Sequence, residues 1–173
     1  MNSILPAESD RDYEAFAGLI REYVEWLRTL YRDKAWFVDA VMGHQSLDEE
    51  LGALAHAFGP PRGAAMLARH GDVVQGCGAY RDLGGGVCEM KRVFVPPRWQ
   101  GRGWGRRLCQ ALTGAARAQG YTVMRLDSVQ RMTRAAALYR SMGFRECAPY
   151  QAYPAKILPQ MVFMERALDD GAP

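Results

Sequence analysis

Gln100-Gly101-Arg102-Gly103-Trp104-Gly105 lies between a strand-like apolar run, Val93-Phe94-Val95, and a helix-like run, and that order builds an anion site. Glycines let the backbone bend without Cβ clashes and bring successive N–H groups close to one ligand. A helix that starts there adds its unsatisfied amides and the positive end of its dipole, which favour a phosphate or pyrophosphate. Charge supports the reading. Between Met90 and Leu126 stand eight basic residues (Lys91, Arg92, Arg98, Arg102, Arg106, Arg107, Arg117, Arg125) and no acidic one, while the rest of the chain is net acidic.

The chain that must position this loop has 173 residues, 49% of them hydrophobic and 24% charged, enough to bury a core as one globular domain over residues 1–173. Its net charge of +3 conceals a basic middle and an acidic start. Met1 to Glu50 holds five basic and eleven acidic residues. That distribution points to a local polyanion pocket rather than a nucleic-acid-binding surface. No apolar run of about 18 residues offers a membrane span, and no basic-then-apolar leader opens the chain, so a cytoplasmic protein is expected. Cys77, Cys88, Cys109 and Cys147 lack metal-like spacing and read as reduced, mostly buried thiols. His44, His56 and His70 are scattered, which leaves no metal site to expect.

Elements alternate along the chain without a repeat or linker. Ser3 to Ala7 reads as a first strand. Ser9 with Asp12 forms a capping box for a helix over Asp10 to Leu30, where Phe16, Ile20, Tyr23, Leu27 and Leu30 recur at helical spacing. Tyr31 to Ser46 is aromatic and irregular, and Leu47 to Phe58 is a second helix stopped by Gly59-Pro60-Pro61. Ala64 to Arg69, Val73 to Arg81 and Val87 to Val95 read as an antiparallel meander. A helix over Gly103 to Gln119, stopped by Gly120, leads to a strand over Tyr121 to Leu126, and this strand-helix-strand step predicts a right-handed parallel crossover. A helix over Arg131 to Met142 and strands over Phe144 to Ala148 and Met161 to Arg166 complete the pattern.

This order of elements, the Gln-x-x-Gly-x-Gly of Gln100 to Gly105 and the later Tyr139-Arg-Ser-Met-Gly-Phe144 resemble the GNAT (GCN5-related N-acetyltransferase) superfamily. The resemblance covers the chain in element order and is most specific from Val87 to Phe144. It implies an α/β (α+β) fold: a mixed, mostly antiparallel sheet of six to seven strands flanked by about four helices, with strands 4 and 5 splayed around acetyl-CoA. By the same resemblance the backbone of Phe94 and Val95 pairs with pantetheine as an added strand would. Gln100, Gly101, Arg102, Gly103, Trp104, Gly105 and Arg106 then hold the phosphates. Arg98 and Arg107 are near enough in sequence to join them, and a solvated helix face is the other reading of these arginines.

Acyl transfer to an amine needs a neutral nucleophile, a stabilised oxyanion and a proton for the leaving thiolate. Tyr139 is the candidate acid by the motif, while its place in the stripe Ala135, Leu138, Tyr139, Met142 also fits a core aromatic. Glu89 stands where some family members carry a basic glutamate, and an ion pair with Lys91 on the same strand face is the alternative. The resemblance places the oxyanion donor on the fourth strand near Val93 to Val95. Relatives often carry an asparagine seven residues before the tyrosine, and here Met132 stands there, with Ser128 and Arg131 as possible substitutes.

The implied activity is acetyl-CoA-dependent transfer, through a ternary complex and without a metal, to a primary amine of a small molecule or peptide. The alternative is a non-catalytic acyl-CoA-binding regulatory module, which would tolerate loss of Tyr139. RNA binding by the basic middle is disfavoured, since few aromatics suited to base stacking stand there beyond Phe94, Trp99 and Trp104, and its arginines coincide with the phosphate motif. The acceptor wall is expected from Tyr23, Leu27, Tyr31, Trp36, Phe37 and Tyr150 or Tyr153, residues that could equally close the core. Exposed sheet edges would allow a homodimer.

Overall fold

The Ser9 Oγ accepts from the amide of Asp12 at 3.2 Å, the Asp12 carboxylate accepts from the amide of Ser9 at 3.1 Å, and this reciprocal box starts helix α1 (Asp10–Leu30) after strand β1 (Asn2–Pro6). A computed structural model of the chain describes residues 1–168. In it α1 turns Phe16, Ile20, Val24 and Leu27 inward. Phe16 and Ile20 are fully buried, each contributing roughly 1.5–3 kcal/mol of transfer free energy.

Three short helices follow: α2 (Ala35–His44), α3 (Leu47–Gly52) and α4 (Leu54–Phe58). The segment expected to be irregular therefore contains a helix. Its start at Lys34 has no side-chain cap, so the usual local signal is missing, and burial of Phe37, Val38, Val41 and Met42 on one face stabilises it instead. The helix expected over Leu47 to Phe58 breaks at Ala53, whose φ of −143° and ψ of 39° leave the helical region.

Strands β2 (Ala64–His70), β3 (Val73–Gly84) and β4 (Val87–Phe94) form the antiparallel meander, with β1 paired outside β2. Helix α5 (Trp104–Ala118) crosses to β5 (Val123–Val129), and α6 (Thr133–Ser141), β6 (Arg145–Glu146) and β7 (Met161–Ala167) follow. The seven strands lie in the order β1-β2-β3-β4-β5-β7-β6, and β4 with β5 is the parallel pair. Strand number and pairing agree with expectation; among the described residues there are six α-helices rather than about four, the difference being α2 and the split at Ala53.

Helical layers cover both faces of the sheet. On one face α1, α2 and α4 pack on Leu67, Cys77, Ala79 and Phe94. On the other, Cys109, Leu112 and Ala116 of α5 and Tyr139 of α6 pack on Tyr80, Cys88, Met90, Met124 and Leu126. Adjacent residues such as Ala79 and Tyr80 thus enter opposite cores, as the period of two requires. Burial raises the thiol pKa values of Cys77, Cys88 and Cys109, which places them as inert core residues.

Candidate functional site

β4 and β5 are paired only at Val87–Val123, Cys88–Met124 and Glu89–Arg125. Beyond Glu89 the two strands part. A bulge helps to drive them apart: Cys77 pairs with Phe94 and Ala79 with Lys91, so β4 carries one residue more than β3 across this step. Arg92, within the bulge, has a φ of +58°, a left-handed backbone that costs a non-glycine residue of order 1 kcal/mol. Its buried side chain offsets that cost. Nε donates to Glu50 Oε1 at 2.6 Å and Nη1 to Gln45 Oε1 at 2.8 Å.

The wedge contains an open cleft of about 720 Å3, bordered by Val93, Phe94 and Val95 on one side and by Met132, Ala135, Leu138 and Tyr139 on the other. Gln100, Gly101, Gly103, Trp104, Gly105 and Arg106 close one end. Gly101 and Gly103 have φ of 76° and 78°, conformations an L side chain resists, so glycine is required at both. Gly103 is the N-cap of α5 and supplies no side-chain cap. Among the described residues none of the amides from Gly101 to Arg106 donates a hydrogen bond, which leaves a row of free donors at a helix N-terminus. Trp104 is anchored below them by its Nε1, which donates to the buried Gln75 Oε1 at 2.7 Å.

The arginines divide. Arg106 borders the cleft and donates to Ser141 Oγ at 2.8 Å. Arg98 is held by Glu22 of α1, and the guanidinium groups of Arg102 and Arg107 lie over the rings of Trp99 and Trp104 at 4.9 and 3.9 Å. Arg131 borders the cleft but is tied to Asp33 through two bonds, at 2.5 and 2.7 Å, and to Leu30 O at 2.9 Å. Arg134, which sequence reading passed over, also borders it.

Tyr139 sits where α6 ends. Gly143, with φ of 87°, turns the chain so that Phe144 N donates to Tyr139 O at 3.1 Å and the two rings meet edge to face at 5.9 Å. The Tyr139 side chain packs in the core and also borders the cleft, and its hydroxyl makes no hydrogen bond among the described residues. Desolvation raises its pKa well above 10, so the phenol keeps its proton throughout the neutral range. Tyr139 is thus a core ring that also borders the cleft.

Glu89 occupies a different environment from the one expected of a base. It is fully buried and does not border the cleft. Oε2 accepts from Arg81 Nε and Nη2, each at 2.8 Å, and Oε1 accepts from Tyr150 OH at 3.0 Å and from Gln151 Nε2. Lys91 Nζ lies 3.9 Å away, so Arg81 rather than Lys91 is the main ionic partner.

A smaller hollow of about 50 Å3 adjoins the cleft across Val93, Met132 and Tyr139, which border both. Asp127 of β5, which the sequence reading did not single out, lies in its wall; its Oδ2 accepts from Tyr153 OH at 2.6 Å. Tyr153 in turn accepts from Gln45 Nε2 at 2.7 Å. A polar chain therefore runs from Glu50 through Arg92, Gln45 and Tyr153 to Asp127. The signal available in the sequence was an aspartate in the centre of an apolar strand, Leu126-Asp127-Ser128-Val129. Met132, at the position of the frequent asparagine, brings its sulfur to 3.5 Å from the Tyr23 hydroxyl and 3.8 Å from Ser128 Oγ.

Of the expected acceptor wall, Tyr23 borders the hollow and Tyr153 bonds to its aspartate. Leu27, Tyr31 and Phe37 are core residues, 2%, 1% and 1% exposed, and Trp36 lies at the surface. Tyr150 is tied to Glu89. Glu50, the last residue of the acidic start of the chain, is buried against Arg92.

The family model for the acetyltransferase (GNAT) domain matches residues 61–146, the span from β2 to β6 that contains the glycine loop, Tyr139 and most of the cleft's lining. An uncharacterized N-acetyltransferase of Schizosaccharomyces pombe is 32% identical over 165 residues, covering 94% of this chain and 92% of its own. An IAA acetyltransferase of Azospirillum brasilense is 38% identical over 104 residues, 60% of this chain and 67% of that one. Among solved structures, the PaiA N-acetyltransferase of Thermoplasma acidophilum in complex with coenzyme A superposes with a TM-score of 0.74 at 14% identity, covering 96% of this chain and 99% of that one.

Proposed function

Because this chain belongs to the GNAT acetyltransferases, we propose that it transfers the acetyl group of acetyl-CoA to a primary amine of a small molecule or peptide within a ternary complex. One observation carries the reading: β4 and β5 part beyond Glu89, and the cleft between them has free amides at one end and the Tyr139 side chain along its wall. The residues fit the co-substrate. Amides from Gly101 to Arg106, with the Arg106 guanidinium, suit a pyrophosphate. The inner edge of β4 through Phe94 and Val95, unpaired with β5, offers backbone groups to pantetheine amides.

In this reading the amine lone pair attacks the thioester carbonyl carbon, and the carbonyl oxygen takes up the displaced electron pair. An amide from the bulged stretch around Val93 stabilises that oxyanion. Collapse of the tetrahedral intermediate breaks the C–S bond. The sulfur leaves with its electron pair and takes the Tyr139 phenolic proton, giving free CoA thiol. The proton shed by the nitrogen passes through water to restore the phenol, and the acetamide is complete. Glu89, saturated by Arg81, Tyr150 and Gln151, serves here as an anchor at the apex of the wedge and takes no proton.

Calorimetric titration with acetyl-CoA, CoA and 3'-dephospho-CoA, followed by acceptor-dependent thiol release, tests the proposal. Binding that weakens when phosphate is removed, with release of thiol on adding an amine, is the expected result. Absence of acetyl-CoA binding refutes it.

A further inference from the structure

Two buried side-chain nitrogens of residues that border the hollow beside the cleft lack hydrogen-bond acceptors. Lys91 Nζ and Arg92 Nη2 make no hydrogen bond among the described residues, although their side chains are only 3% and 4% exposed; Lys91 Nζ lies 3.9 Å from Glu89 Oε2. Both residues border the hollow, together with Asp127. Burying a donor without an acceptor is costly, and a folded protein keeps such groups mainly where a ligand or ordered water completes them. Their nearest carboxylates are already committed. Glu89 is saturated by Arg81, Tyr150 and Gln151, and Glu50 Oε1 accepts from Arg92 Nε. The residues bordering the hollow thus include two with buried donors that lack acceptors, and an aspartate whose Oδ1 makes no hydrogen bond among the described residues.

We infer that this hollow holds the head of an acceptor that is itself an amino carboxylate, an α-amino acid being the compact form. Its carboxylate meets Lys91 Nζ and Arg92 Nη2, and its amino group faces Asp127. The inference rests on the transferase reading and names the substrate class for that site. Size agrees, because the hollow is small beside the cleft it adjoins, about 50 Å3 against about 720 Å3, and suits a compact head group. Position also agrees, since Tyr139 borders both the hollow and the cleft, so an amine at Asp127 lies on the thioester side. The bound ammonium gives one proton by way of Asp127 to water. The neutral nitrogen then attacks the acetyl carbon, the C–S bond breaks, and the products are an N-acetylamino acid and CoA thiol.

The test compares free α-amino acids with their α-carboxamides in a thiol-release assay at saturating acetyl-CoA, after calorimetry has shown that acetyl-CoA binds. The amide's amine is less basic, so more of it is neutral at assay pH and intrinsic reactivity opposes the expected result. At least one amino acid should be turned over with kcat/KM about 10-fold or more above its amide, because a site built to pair a group rejects the analogue that lacks it. Lys91→Met, an apolar replacement of similar length, should raise KM for that amino acid about 10-fold and move the acid-over-amide ratio toward unity. The inference is overturned if amides match or exceed their acids. It is equally overturned if no amino acid is acetylated by protein that binds acetyl-CoA, or if Lys91→Met slows acid and amide by the same factor through kcat. Failure to bind acetyl-CoA is a separate outcome that overturns the transferase reading beneath it.

Discussion

Tyr139→Phe removes one hydroxyl and nothing else, and the surroundings of that hydroxyl set what should change. The ring keeps its edge-to-face contact with Phe144 at 5.9 Å and its place among Cys109, Met142 and Leu126. The hydroxyl has no protein partner among the described residues, so no buried donor or acceptor is orphaned by its loss. Stability should therefore move by no more than about 0.5 kcal/mol, or about 1–2 °C in Tm for a chain of this length. The catalytic effect is a different matter. A positioned general acid contributes about 10^2- to 10^4-fold, and a leaving thiol of pKa about 8.5 needs less help than an alkoxide. The lower end, about 10^2-fold in kcat or about 2.7 kcal/mol of barrier, is expected. Because burial raises the Tyr139 pKa well above 10, the wild-type rate should show no alkaline decline from this group at neutral or mildly basic pH. The assay is steady-state thiol release with acetyl-CoA affinity measured separately by calorimetry. A wild-type kcat in the folded variant would assign Tyr139 to packing alone.

Other perturbations separate position from chemistry. Glu89→Gln should destabilise by up to about 3–5 kcal/mol, the range for breaking a buried pair, and by less if the half-exposed Arg81 rehydrates; chemical denaturation measures it. The acidic limb of its pH–rate profile should keep the wild-type shape, and flattening of that limb in a stable variant would return Glu89 to the role of base. Gly103→Ala forces a Cβ into φ of 78° at a cost of about 1–2 kcal/mol, and should raise KM for acetyl-CoA more than KM for the acceptor. In the capping box, hydrogen bonds from Ser9 and its neighbours lower the Asp12 pKa to about 2. A depressed folded pKa means that the stabilisation is present above the ordinary value of 3.8 and is lost as pH falls through about 2. Asp12→Asn should therefore narrow the loss of stability seen in acid denaturation between about pH 4 and pH 2, and an unchanged acid transition would contradict the assignment.

The elements legible in the sequence are those with local signals. α1 runs over the expected residues because Ser9 and Asp12 mark its start and a regular apolar stripe continues it. The glycine loop was legible because left-handed backbone at Gly101 and Gly103 demands glycine whatever the tertiary structure. What stayed hidden was fixed by contacts between distant segments. α2 has no cap and exists through burial of its apolar face. The bulge at Arg92 leaves no sequence mark, since an arginine with φ of +58° is tolerated only through Glu50 and Gln45, more than forty residues away. Asp127 shows its importance only when Tyr153, Gln45 and Arg92 are brought to it. Arginine placement was poorly legible for the same reason, as Arg98 and Arg131 found acidic partners on and just after α1.

Glu89 illustrates that location and chemistry are separate questions, and the reading proposed above makes it an anchor. It is the last β4 residue paired with β5, so nearness to the gap was rightly inferred, but the apex of a wedge and its wall make different demands. At the apex three separate segments must be held together: β3 through Arg81, β4 itself, and the stretch before β7 through Tyr150 and Gln151. A fully buried carboxylate that accepts four bonds is well suited to that task, because one oxygen takes both donors of the Arg81 guanidinium and the other takes Tyr150 and Gln151. The same saturation removes the free lone pair a base requires. Asp127, one strand across and two residues beyond the last paired position, keeps one oxygen without a protein partner and borders the hollow. In the proposed reading, the division of labour between the two carboxylates follows from where the β4–β5 pairing stops: the one inside the paired region anchors the opening, and the one just past it borders the hollow.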